Sequence, residues 1–91
     1  MKSITIKTRY IGSIHTDLGK NEDRFTMKEK ARVKSLLYSI IERYGDDISP
    51  IIFDTAKNLN ILITRNNALV SEDITLEDGD EVMLIPKISG G

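Results

Sequence analysis

Only one stretch of this chain carries a helical period. Val33, Leu36, Leu37, Ile40, Ile41 and Tyr44 fall at i, i+3, i+4, i+7, i+8 and i+11. That spacing puts a single apolar stripe along one amphipathic helix. Lys34, Ser35, Ser39, Glu42 and Arg43 take the outer face. A lone striped helix buries its stripe against a sheet, which makes a two-layer α+β arrangement the expected fold class. Gly45 follows the last apolar position, where a left-handed C-terminal cap is expected. Thr26 and Glu29 could form a capping box, but Phe25 and Met27 serve better as strand residues. The helix is therefore expected to start near Arg32, without a good N-cap.

The rest of the pattern has period two. Ile4, Ile6, Thr8 and Tyr10 alternate with Thr5, Lys7 and Arg9, a strand over 3–10 with one buried face. Gly12, Asp17, Gly19, Lys20 and Asn21 mark 12–22 as a turn-rich loop, and 22–28 reads as the returning strand of a hairpin. Residues 46–59 are irregular. Ser49-Pro50 can open a short helical turn there, with Ile51, Ile52 and Phe53 covering one end of the core. A third strand is expected over 60–65, a turn at Asn66-Asn67, a fourth strand over 68–70 and a loop closed by Asp78-Gly79. Residues 82–85 form a fifth strand, apolar on both faces as a central strand should be. The expected order is β-β-α-β-β-β, with the first and last strands side by side in the middle. Residues 1–85 are expected to form the domain and 86–91 a flexible tail.

Composition narrows the function. A chain of 91 residues is one small domain without room for a deep substrate cavity, which argues against a self-contained enzyme. The net charge is −1 and basic residues are interleaved with acidic ones, so nucleic acid is not an expected partner. With no cysteine there is no disulfide, thiolate metal site or cysteine nucleophile. No apolar run approaches the roughly 18 residues that span a bilayer. Met1-Lys2 leads straight into a strand pattern, so neither a membrane nor secretion is expected and the location is taken as cytoplasmic. Glu77, Asp78, Asp80 and Glu81 lack the alternation of a calcium loop and read as a solvated turn, so no metal site is expected. His15 is a loop histidine with no Ser or Cys partner suggested by spacing, and Gly12 and Gly19 do not make a phosphate loop. Lys28, Lys30, Arg32 and Lys34, interrupted by Glu29, read as an exposed approach to the helix. The helix covers one face of strand five. Met83 and Ile85 are therefore expected to face away from it as a partner surface.

Four pieces carry a family resemblance. They are Arg9-Tyr10 followed by a loop reaching Gly19; Val33 to Leu37 opening the helix, with Arg43-Tyr44 closing it; the strand–turn–strand of Ile63 to Val70; and Leu76 to Val82, then Pro86 and Ser89-Gly90-Gly91. In these the chain resembles the β-grasp (ubiquitin-like) sulfur-carrier proteins of the MoaD/ThiS-like family, most closely the small subunit of molybdopterin synthase. It departs from the family pattern at Lys87, where a second proline is common, and at Arg32, where Thr or Ser is usual.

The resemblance implies that Gly91 is the working residue. An E1-like adenylating enzyme would use ATP to join its carboxylate to AMP. Sulfide or a persulfide would then displace AMP and leave a thiocarboxylate, which donates sulfur in molybdenum cofactor synthesis. Pro86, Lys87, Ile88, Ser89 and Gly90 would be inserted into the active site of the synthase large subunit, with this chain as the non-catalytic partner and no stably bound cofactor. Glycines at 90 and 91 fit a narrow channel because they lack a Cβ, and Pro86 limits the entropy lost on docking by fixing φ where the strand ends. The resemblance also admits a ubiquitin-like modifier joined through Gly91 to target lysines, or a sulfur carrier for thiamine synthesis or tRNA thiolation.

Overall fold

Alternating burial runs through the strands of the computed structural model, which describes residues 2–87. In β1, Ser3–Tyr10, the side chains of Ile4, Ile6, Thr8 and Tyr10 are buried and those between them face outward. β1 pairs antiparallel with β2, Glu22–Lys28, in the hairpin the alternation predicts. The loop expected between them contains a six-residue helix, α1, Ser13–Leu18. Ile14 is fully buried and Leu18 packs on the core one turn later, and Gly19 ends the helix at φ 69°, ψ 21°. Turn-forming residues concealed this element, because six residues give no readable period.

The striped helix is α2, Val33–Tyr44, with Val33, Leu36, Leu37 and Ile40 buried. Its start is where it was expected, and Arg32 provides no side-chain cap. Distant carbonyls take that role. The Val33 N–H donates to Ile74 O at 3.1 Å and the Lys34 N–H to Glu72 O at 2.8 Å. These satisfy amide groups that a helix start otherwise leaves unpaired. Gly45 has the expected positive φ, 79°, but its ψ of −157° lies outside the left-handed helical well. That conformation leads into a 3₁₀ turn, Gly45–Asp47, and a short helix α3, Ser49–Ile52. There Ile48 and Ile52 seal the core, while Ile51 and Phe53 are only partly buried.

β3, Ile61–Arg65, turns back through Asn66 and Asn67, both at positive φ, into β4, Ala68–Leu69. β5, Glu81–Pro86, is one residue longer at each end than the apolar run and takes in the first residue assigned to the tail. The strand order is β2-β1-β5-β3-β4, with β1 and β5 parallel and the other pairs antiparallel. β1 and β5 are neighbours and β5 is the middle strand, as expected. The mixed sheet with α2 across one face is the β-grasp arrangement. Among the described residues, no helix is long and apolar enough to cross a membrane.

Candidate functional site

The candidate site is built on β5. Val82 and Leu84 point into the core and are fully buried. Met83 and Ile85 point to the opposite, open face, where they are partly exposed. Register extends this surface onto the neighbouring strands. Leu62 stands opposite Ile85, and Thr64 stands between Met83 and Leu69. Directly paired residues share a face, so Leu62 (41% exposed) and Leu69 (69% exposed) join Met83 and Ile85 in one apolar patch. The sequence pattern pointed to only two of these four. Leu62 stands second in an Ile-Leu-Ile run, and alternation with the buried Ile61 and Ile63 was the available signal. On β1 and β2 the patch gives way to charges, with Lys7 near Glu22 and Glu81 at 3.7 Å each.

The approach to β5 is pinned by the acidic turn, which is not merely solvated. Asp80 is buried and accepts hydrogen bonds from the Glu77 N–H at 2.8 Å and from Asn66 Nδ2 at 3.0 Å. Asp78 Oδ1 accepts from the Thr5 N–H at 2.7 Å, which ties the turn to β1. The Asn66 backbone and side chain both bond Glu81, at 2.8 and 2.9 Å. The carboxylates of Asp78 and Asp80 act as hydrogen-bond acceptors within the fold. Among the described residues no cluster of three or more His, Cys, Asp or Glu side chains could hold a metal.

At the other end of β5, Pro86 stands opposite Ile61, and exposed Lys87 donates from Nζ to Leu59 O at 3.0 Å. Ile88, Ser89, Gly90 and Gly91, the rest of the expected insertion segment and the residue expected to react, lie outside the described residues. His15 Nδ1 lies 2.8 Å from Lys20 O, which places it in loop structure. A groove of about 440 Å³ is lined by Tyr38, Ile41, Pro50 and Phe53, with no residue of β5.

One buried polar cluster escaped the sequence reading. Asp23 Oδ2 accepts hydrogen bonds from the Tyr10 hydroxyl at 2.9 Å and from the Tyr44 hydroxyl. Lys20 Nζ lies 3.2 Å and an Arg43 guanidinium nitrogen 3.6 Å from Oδ1. Burial pushes the Asp23 carboxyl up, but the hydrogen bonds from Tyr44, Tyr10 and Lys20 outweigh it and hold its pKa below the ordinary carboxylate value. Burial and the Asp23 charge push both tyrosine hydroxyls up. These groups are locked as a charged acceptor and its donors. They fasten β1, β2 and the end of α2 together.

The ThiS family model matches residues 9–91. The molybdopterin synthase sulfur carrier subunit of Chlamydomonas reinhardtii is 29% identical over 86 residues, covering 94% of this chain and 98% of that protein. The crystal structure of SAMP1 from Haloferax volcanii superposes with a TM-score of 0.84 at 20% identity, over 96% of this chain and 99% of that one. A Pyrococcus furiosus structure, provisionally assigned as molybdopterin converting factor subunit 1, gives a TM-score of 0.79 at 26% identity, over 93% and 99%.

Proposed function

The chain belongs to the ThiS family, and from that premise we propose that it is a sulfur carrier whose Gly91 thiocarboxylate supplies sulfur for molybdopterin synthesis. The observation that carries this reading is the position of β5. It lies between β1 and β3 in the middle of the sheet, and its far end leads directly into the Gly-Gly segment. A strand held on both sides gives the chain end a rigid base, and positioning of this kind is what a reaction inside another protein requires. The pathway is supported by the 29% identical relative, which is itself a molybdopterin synthase sulfur carrier subunit.

The chemistry follows from the carboxylate. Its oxygen attacks the α-phosphorus of ATP on an adenylating enzyme, and pyrophosphate leaves. Hydrosulfide attacking the acyl carbon expels AMP and leaves the thiocarboxylate directly. A persulfide instead expels AMP to give an acyl disulfide, whose S–S bond a second thiol then reduces, leaving as a disulfide with the carrier sulfur and freeing the thiocarboxylate. The thiocarboxylate sulfur then displaces an oxygen substituent from a carbon of the pterin precursor bound to a large synthase subunit, which supplies the basic catalytic residues. Water cleaves the resulting thioester, leaving the sulfur on the pterin and restoring the Gly91 carboxylate. This chain brings the sulfur and does not catalyse the transfer. The patch of Leu62, Leu69, Met83 and Ile85 is the surface offered to the partner.

Intact-mass measurement of the protein from its native cell tests the reading. A mass gain equal to exchanging one oxygen for sulfur is expected, and deletion of Gly91 should abolish both that species and molybdenum cofactor synthesis. Gly-Gly remnants on lysines of other proteins would favour the modifier use of the same activated end. A Gly91 deletion that changes neither would overturn both.

A further inference from the structure

Where β1 and β5 part company, Gly12 meets Pro86. The Ile11 N–H donates to Leu84 O at 3.1 Å, the last bond of the parallel ladder. In a parallel ladder the returning bond would come from the N–H of residue 86 to Ile11 O. Residue 86 is proline and has no N–H. The Ile11 carbonyl instead accepts from the Ile14 N–H at 3.3 Å, in the first turn of α1. Pro86 therefore ends the ladder and releases the carbonyl that starts α1.

Gly12 completes the separation. It stands across from Pro86 at φ 60°, ψ −130°, a backbone conformation open to glycine and closed to side-chain-bearing L-residues. A Cβ on Gly12 would lie 3.2 Å from Pro86 Cγ and 3.6 Å from Cδ. A Cβ there would press the proline ring back by a few tenths of an ångström, on top of the strain a side chain meets at this positive φ. On its other flank Pro86 is paired with Ile61 of β3, so it is held between that strand and the Gly12 turn that leads into α1.

We propose that Gly12 is a positioning residue for the chain end. It seats the Pro86 ring, and the pair sets the point and direction at which the chain leaves β5. The functional part of this inference rests on the reading of Gly91 as the reacting residue. A tail aimed correctly by its first residues enters the activating site with its carboxylate in line. A shift of about 1 Å at the root is enough to lower a rate severalfold or more.

The test has two arms. In the first, ATP–pyrophosphate exchange by the adenylating enzyme is measured with the unmodified chain, Gly12→Ala, Pro86→Ala and the double variant. Gly12→Ala is expected to lower kcat by about tenfold or more with KM nearly unchanged. A mere loss of folded protein would raise the apparent KM and leave kcat alone. Because the two residues act as one contact, the double variant should lose no more than the worse single. Multiplying losses would overturn the pairing.

The second arm needs no enzyme. Residual dipolar couplings of the Lys87 N–H are measured in the isolated chain. Gly12→Ala should reorient that N–H while couplings in β1 to β4 stay put. Unchanged Lys87 couplings overturn the proposal whatever the kinetics. If the unmodified chain supports no exchange, the reading of Gly91 fails, and the couplings alone uphold or overturn the role of Gly12.

Discussion

A carboxylate removed from water is tolerable only when donors surround it, and Asp23 has them from β1, from α2 and from the loop before β2. The Tyr10, Tyr44 and Lys20 donors hold its pKa below the ordinary value. A group whose pKa is depressed by folding contributes stability above its unfolded pKa and loses it as pH falls through the folded one. Asp23→Asn should therefore lower stability at neutral pH by about 1–3 kcal/mol. It should also flatten the acid limb of the stability profile, measured by urea unfolding from neutral pH down to about pH 3. An acid limb as steep as in the unmodified chain would count against the role given to this carboxylate. Part of this was open to a sequence reading. Asp23 shares the buried register of β2 with Phe25, and Tyr10 shares that of β1 with Ile6. Their meeting with Tyr44 was not legible, because it depends on how the end of α2 lies over the sheet.

Helix ends show the same division at the scale of elements. Gly19 sits in the left-handed helical well, which asparagine tolerates, whereas Gly45 sits at ψ −157°, a region nearly restricted to glycine. Gly19→Asn should change stability by less than about 0.5 kcal/mol, and Gly45→Ala should cost about 1–3 kcal/mol. Thermal unfolding of the two variants side by side checks the contrast, and equal losses would contradict it. Elements long enough to repeat were legible: eight residues of β1, twelve of α2, and the doubly apolar run of β5. α1 and α3, with six and four residues, were too short to show a period. The start of α2 is satisfied by carbonyls of Glu72 and Ile74, some forty residues downstream, and no local motif announces such a cap. This also explains how Arg32 can stand where a capping Thr or Ser is usual.

In the whole molecule the two faces of the sheet have separate duties, one buried under α2 and one carrying the Leu62–Leu69–Met83–Ile85 patch. Leu62→Glu and Leu69→Glu should shift unfolding free energy by about 0.5 kcal/mol or less and weaken binding to the proposed large subunit by about tenfold. Calorimetric titration of each variant tests this, and unchanged affinity would remove the patch from the partner surface. The strand order has a further consequence for biosynthesis. β1 and β2 form one hairpin and β3 and β4 another, and within the sheet β5 alone joins them. Lys7 pairs with Glu81, so the joining contacts are among the most distant in the chain, and such contacts close slowly. A ribosome must release residues through Pro86 before the two halves can share a core. A chain stalled or clipped before β5 leaves Ile6 and Ile63 without the Leu84 that lies between their strands, and exposed apolar surface of that kind invites degradation. Folding itself thus inspects the product, admitting only chains translated as far as the base of the segment proposed to react.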